Sequence, residues 1–238
     1  MTEILKINDL TFKRDRKTIL RDVNLCLDSG KIVGLMGENA SGKTTLISLI
    51  ANCLPINSGE IYLHGEKRNQ LTNEYVSYIS DLDGFSKSMK IKDLMKFYKK
   101  WYENYDEKKA EELRQFLKLD LNLKISQMSK GTKEKAIIMF TMARKVNLYL
   151  LDEPLSGIDI FARESIIKAL MSWFNEESTV IISSHHIDEI FPILDEIVVI
   201  DRQTVVGHEN TEDLLESGMT ANDYFKEVYY EKGGDIDA

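Results

Sequence analysis

The chain has 238 residues, 43% of them hydrophobic and 29% charged, and a net charge of −8. That length and mix suit one globular domain, or one domain with an insertion, and exclude neither a sizeable core nor an enzyme. The acidic balance disfavours nonspecific binding to nucleic acid, whose phosphates it repels.

Cys26 and Cys53 stand in no metal-ligand spacing and predict small core residues in a reduced setting. The first nine residues carry acids where a secretory leader is apolar, so no leader is expected. No apolar run approaches the roughly 20 residues that span a bilayer.

Residues 4–7 and 22–27 alternate apolar and polar side chains, the period of half-buried strands. Ser29-Gly30 is a turn, and the apolar run 31–36 reads as a buried strand. It leads into Gly37-Glu38-Asn39-Ala40-Ser41-Gly42-Lys43-Thr44, which fits the phosphate-loop pattern G-x-x-x-x-G-K-S/T. A helix-like run, 45–51, follows from Thr45. Strand, loop and helix in that order is the setting the pattern needs. The glycines let the backbone curl so that several N–H groups point at phosphate oxygens. The new helix adds its positive end. Lys43 can reach the β- and γ-phosphates, and the Thr44 hydroxyl can ligate Mg²⁺. By itself the pattern serves GTPases, kinases and ATPases alike.

Residues 55–59 predict a second turn and 60–63 a short strand closed by His64-Gly65. From about 86 to 143 helical periodicity takes over. Ile91, Leu94, Met95, Tyr98 and Trp101 (or Tyr102) lie at helical spacing, and Leu113, Phe116 and Leu117 repeat it. A helical subdomain inserted into an α/β body is expected. Residues 96–102 interleave lysines with aromatics, as single-stranded nucleic-acid binders do. The apolar positions already satisfy the helical period, so the block reads as an amphipathic helix with lysines outward.

After Val146 the α/β pattern returns. Residues 147–151 predict a buried strand, 162–174 a helix, and 179–182 and 196–200 two continuous apolar strands of the parallel-sheet kind. A helix starting near His186 is expected between those two, and a loose tail at 233–238. The strand at 148–151 delivers Asp152-Glu153-Pro154 at its carboxyl end, where ligands bind in open α/β sheets. Asp152 suits holding Mg²⁺, and Glu153 suits orienting and polarising an attacking water.

Asp152-Glu153-Pro154 followed by Leu155-Ser156-Gly157-Ile158-Asp159 resembles the Walker B and D-loop segments of ATP-binding cassette (ABC) proteins. Ser183-Ser184-His185 is similar to their switch histidine; His186 competes for that role, and the strand-end position favours His185. Met128-Ser129-Lys130-Gly131-Thr132-Lys133 stands where their signature, typically Leu-Ser-Gly-Gly-Gln, would stand. All fall in the family's order, over roughly residues 3–210. Separately, Ser129 can cap a helix beginning near Lys130.

The resemblance implies a P-loop NTPase fold of class α/β: an ABC ATPase core with a mixed or parallel sheet, an antiparallel β subdomain and an inserted helical subdomain. The ATPase domain would span 1–210, with 86–143 inserted and 211–238 as a helical extension and tail. ATP and Mg²⁺ are the implied cofactors. Glu153, His185 and Lys43 would be catalytic. Residues 37–45, Arg14, Ser129, Gly131 and Asp159 would bind nucleotide, and Thr44, Asp152 and Asp81 the metal. The signature would face ATP on a second cassette, a copy or a paralogue, in a head-to-tail dimer. A separate transmembrane permease would receive the motion through residues 81–89, and the chain would sit peripherally on the cytoplasmic face of the membrane. No nucleic-acid partner is implied.

Three residues depart from the family pattern. Lys130 replaces a signature glycine, Asp81 replaces the Q-loop glutamine, and Arg14 aligns with the adenine-stacking aromatic, Phe12 being the alternative two residues earlier. A guanidinium can also stack on a base. Ser-Lys-Gly followed by Thr-Lys-Glu-Lys resembles a bacterial exporter (ABC-2 type) branch, which implies export of a drug, peptide or lipid-like molecule. The alternative is a soluble ABC ATPase with a remodelling role, such as iron–sulfur cluster assembly.

Overall fold

The computed structural model describes residues 2–185 and 187–231, so the tail at 233–238 and His186 lie outside the described residues. The chain opens with a long hairpin, β1 (Glu3–Arg14) and β2 (Lys17–Asp28). Its two turn residues, Asp15 and Arg16, both have positive φ, 50° and 67°. Two left-handed central residues give a turn whose twist matches paired strands. The alternating stretches in the sequence mark only the inner parts of these strands.

β3 (Ile32–Met36) runs into the glycine-rich loop, and α1 (Lys43–Ile50) leaves it. β4 (Ser58–Leu63), β5 (Glu66–Lys67) and β6 (Val76–Tyr78) follow. Three helices come next: α2 (Ile91–Trp101), α3 (Glu107–Phe116) and α4 (Lys130–Met142). The remainder alternates: β7 (Leu148–Asp152), α5 (Ile160–Trp173), β8 (Thr179–Ser184), β9 (Glu196–Asp201) and β10 (Thr204–Asn210), then α6 (Thr211–Glu216) and α7 (Ala221–Glu231).

Two sheets form. One is antiparallel in the order β2-β1-β4-β5; the other runs β10-β9-β3-β8-β7-β6, parallel except for β10 at its edge. β3 is flanked by β8 and β9, so the loop after it opens at the middle of the larger sheet. The pleat sorts its side chains. Val33, Leu35, Leu148 and Leu150 pack toward the antiparallel sheet and α1, while Met36, Tyr149 and Leu151 pack toward α2, α4 and α5.

The helical segment is tied down by aromatics and one arginine. Tyr98 of α2 stacks on Phe140 of α4 at 4.6 Å. Arg144 lies 4.3 Å over the Tyr102 ring and donates to the Val76 carbonyl at 2.9 Å, which joins the end of α4 to β6. Lys96, Lys99 and Lys100 face solvent, as the amphipathic reading predicts.

Three expectations need correction. Trp101 is 65% exposed, because α2 ends there and Tyr102 turns in instead. Cys26 and Cys53 are both exposed: Leu25 and Leu27 take the inner face of β2, so Cys26 between them points out, and Cys53 lies just beyond α1. The segment between β8 and β9 is not an α-helix but two short 3₁₀ turns, Ile187–Glu189 and Phe191–Ile193. Pro192 lacks the N–H that a continuing helix would need.

Candidate functional site

The loop after β3 is shaped by its backbone. A Cβ on Gly37 would fall 2.4 Å from the Ile200 carbonyl oxygen of β9, so no larger residue fits beside that strand. Gly42 has φ 112° and ends the loop. Ala40 also has positive φ, 67°, although it carries a Cβ; that conformation costs roughly 1–2 kcal/mol. α1 starts at Lys43 with no side chain capping its first amides. Those N–H groups and the helix dipole are left for a ligand. The Ser41 hydroxyl is buried and has no hydrogen-bond partner among the described residues. An orphaned donor inside a ring of amides fits a polyanion, which supplies the missing acceptors.

A cavity of about 290 Å³ stands over this loop, lined by Asn39 to Thr45, Ile19 and Glu153. Lys43 is buried and donates to the carbonyls of Gly37 at 2.7 Å and Glu38 at 3.1 Å. Its ammonium lies 3.8 Å from Glu153. Burial pulls the Lys43 pKa below the usual lysine range, and Glu153 and Asp152 oppose that shift.

β7 brings the carboxylates. Thr44 donates to Asp152 Oδ1 at 3.2 Å, and the buried Ser183 hydroxyl donates to the same oxygen at 2.6 Å. Ser183 Oγ in turn accepts from the Glu153 amide at 2.9 Å. Glu153 sits at φ 51°, a strained setting for a non-glycine residue. The His185 ring reaches its carboxylate, with Nδ1 2.7 Å from Oε2. A carboxylate only accepts, so this contact puts the proton on Nδ1. Hydroxyl and carboxylate oxygens are the hard donors that Mg²⁺ takes, with phosphates completing its shell, so Thr44 and Asp152 fit that ion.

Two predicted contributors make local contacts of their own. Asp81 accepts from the Asp83 amide at 2.7 Å and from Ser80 at 3.3 Å. Arg14 is exposed at the end of β1, with its guanidinium 6.0 Å from the Phe12 ring centre. Phe12 itself is buried in the core and cannot offer a face to a base without opening it. The large hydrophobic side chain that does line the cavity, among the described residues, is Ile19.

Ser129, Gly131 and Asp159 form a second group. Ser129 caps α4, accepting from the Thr132 amide at 3.1 Å. Asp159 caps α5, accepting from Phe161 at 3.0 Å and Ala162 at 2.9 Å; the backbone amide of Ala162 leads in holding its carboxyl below the usual range. Gly131 lets the two helix starts meet, since a Cβ there would lie 3.1 Å from Ala162 Cβ. Among the described residues no hydrogen bond or ion pair joins this group to the phosphate loop of the same chain.

Sequence reasoning missed three structural ties. Ser183 was legible only as a neighbour of His185, yet it bridges Asp152 and Glu153. Arg163 of α5 pairs with Glu189 of the turn that follows His185. Asn222 of α7 donates to Asp188 of that turn. Both partners are distant in sequence, so no local pattern announces them.

Ser183→Ala leaves Asp152 Oδ1 and the Glu153 amide each one partner short. It is expected to cost about 1–3 kcal/mol of stability. Urea denaturation measures this; an unchanged midpoint would mean the bridge carries no load.

Glu134, half-buried one turn into α4, is pushed up to about 7 by burial, with Lys130 and then Lys133 pulling it back. Its folded pKa exceeds the ordinary carboxylate value of 4.5. The fold therefore holds an extra proton between those values, and stability falls as pH rises through that window. Glu134→Gln is expected to remove that fall and to gain on the order of 1 kcal/mol above neutrality. Melting curves on the acid and alkaline sides of the window check it: the two proteins should diverge only on the alkaline side.

The ABC transporter family model matches residues 20–156. A probable ABC transporter ATP-binding protein of Cyanophora paradoxa is 27% identical over 235 residues, covering 94% of this chain and 96% of its own. The cytochrome c biogenesis ATP-binding export protein CcmA of Reclinomonas americana is 28% identical over 190 residues, covering 76% and 84%. Among solved structures, an ATP binding subunit of an ABC transporter superposes with a TM-score of 0.81 at 22% identity, covering 96% of this chain and 98% of that one.

Proposed function

The chain belongs to the ABC transporter family as an ATP-binding, ATP-hydrolysing subunit, and from that premise we propose that it powers export through a separate transmembrane permease. One observation carries the site assignment: Lys43, Thr44 and Glu153 line one cavity, and Asp152 and His185 are bonded to Thr44 and Glu153 respectively. ATP would place its phosphates in the amide ring of residues 37–45, with Lys43 leaving its loop carbonyls for the β- and γ-phosphates. Thr44 and Asp152 would hold Mg²⁺, which supplies charge neutralisation between those phosphates. Glu153 would accept the proton of the attacking water while Ser183 fixes its backbone.

His185 would report the γ-phosphate. Its Nδ1–H is engaged by Glu153 in this structure, and a phosphate oxygen also only accepts. Reaching the phosphate therefore requires the ring to leave Glu153 or to carry a second proton on Nε2. Either event differs between ATP and its products, which is what a switch needs.

Ser129, Gly131 and Asp159 lie in a group of their own, and this supports a head-to-tail pair in which they face the ATP of a second cassette. Closure on ATP and reopening after hydrolysis would pass to the permease through residues 81–89, where Asp81 stands in for the usual glutamine. No described helix is long and apolar enough to cross a membrane; in this reading the permease supplies the spans and this chain lies on the cytoplasmic face. Export of a drug, peptide or lipid-like molecule rests on the Ser-Lys-Gly branch pattern and on the export protein among the relatives.

Affinity capture from detergent-solubilised membranes tests the coupling. A polytopic membrane protein is expected to co-purify in stoichiometric amount. Recovery of soluble scaffold proteins alone would favour the remodelling alternative.

A further inference from the structure

The signature segment carries a side chain that the mechanism above does not use. Lys130 occupies a glycine position of the usual motif, at the first residue of α4. It is exposed, and no carboxylate lies within ion-pair distance of it among the described residues. Its ammonium is seated on the D-loop, 2.6 Å from where a Cβ on Gly157 would be. Gly157 has φ 65° and no side chain, so the seat exists because that position is glycine. The ammonium therefore stands at one edge with the Ser129 hydroxyl and the adjoining starts of α4 and α5.

The charge balance gives that ammonium a task. A chain of net charge −8 must approach another that holds a polyphosphate, and a helix start supplies only about half a positive charge. Ser129 and the amides of α4 are neutral donors. Lys130 is a mobile point charge on a four-carbon stem with three donors, suited to a terminal phosphate. Lifting it from Gly157 breaks no ion pair; it gives up only the longer-range attraction of Glu134, which Lys133 shares.

We propose that Lys130 is a phosphate-binding residue supplied in trans: when two copies of this chain face each other, its ammonium leaves Gly157 and joins Ser129 on the γ-phosphate of the ATP held by the other copy. This rests on the two-cassette reading above. It makes closure depend on a charge that the usual signature lacks, and so makes it more sensitive to salt and to loss of the γ-phosphate.

The test uses the full chain carrying Glu153→Gln, in which ATP persists, and reads the Mg·ATP concentration that half-converts monomer to dimer by sedimentation. Adding Lys130→Gln is expected to raise that concentration about tenfold, as loss of a charge-assisted contact would, and to flatten its dependence on salt. Lys130→Arg should keep it near the starting value. ATP affinity of the dilute monomer should not move in any of the three. An unchanged midpoint in Lys130→Gln overturns the proposal, as does an equal loss of monomer ATP affinity, which would mark a folding defect. If the Glu153→Gln chain with Lys130 intact forms no dimer at all, the two-cassette reading falls and takes this inference with it.

Discussion

Glu153→Gln is expected to lower ATP turnover by about a thousandfold, within the range for loss of a positioned general base, while ATP affinity stays within a few-fold. The amide keeps the shape of the side chain and can still meet Lys43 and His185, but it cannot take a proton from water. The backbone that aims it is held independently of the carboxylate, by Ser183 Oγ at 2.9 Å and the Ser183 carbonyl at 3.2 Å. Geometry is therefore preserved and chemistry removed. Steady-state phosphate release gives the turnover and calorimetry the affinity. Turnover within tenfold of the parent would assign the base to another group.

Lys43→Ala is expected to do the opposite, weakening ATP binding by about a hundredfold, the scale of one or two charge-assisted hydrogen bonds. The side chain is 6% exposed, and its ammonium bonds to two loop carbonyls. Truncation removes the one cation that lines the cavity among the described residues and leaves the Gly37 and Glu38 carbonyls without that donor. ADP binding should fall less than ATP binding, because ADP lacks the γ-phosphate. Equal losses for both nucleotides would show that the lysine acts on loop shape instead.

The α/β core was legible because its strands are continuous apolar runs and its loop is punctuated by glycines whose spacing has one physical use. The same holds for Asp152 and Glu153, which a buried strand must deliver to its carboxyl end. Elements set by long-range pairing were not legible. β6 is three residues whose strand character comes from β7, some seventy positions away; β10 pairs locally with β9, but its turn, Arg202-Gln203 at positive φ, carries none of the glycine or asparagine that marks such a hairpin.

Burial was misjudged where a local period could not decide. Trp101 satisfies the helical spacing but stands on the last residue of α2. Cys26 looked like a core residue by type, yet strand alternation puts it outside. The tie between Arg163 and Glu189 joins α5 to the turn after His185; its partners are 26 positions apart and only the fold brings them together. The left-handed Ala40 and Glu153 follow the same rule: the sequence names the residues, and the backbone strain they carry appears only in three dimensions.

In the proposed dimer ATP is enclosed between the phosphate loop of one chain and the Ser129–Gly131 edge of another. The mass of the Glu153→Gln protein in solution, with saturating Mg·ATP and with Mg·ADP, reads whether that enclosure forms. Twice the 27.4 kDa chain mass is expected with ATP and a single chain with ADP. A single chain under both conditions, with nucleotide bound, would contradict it.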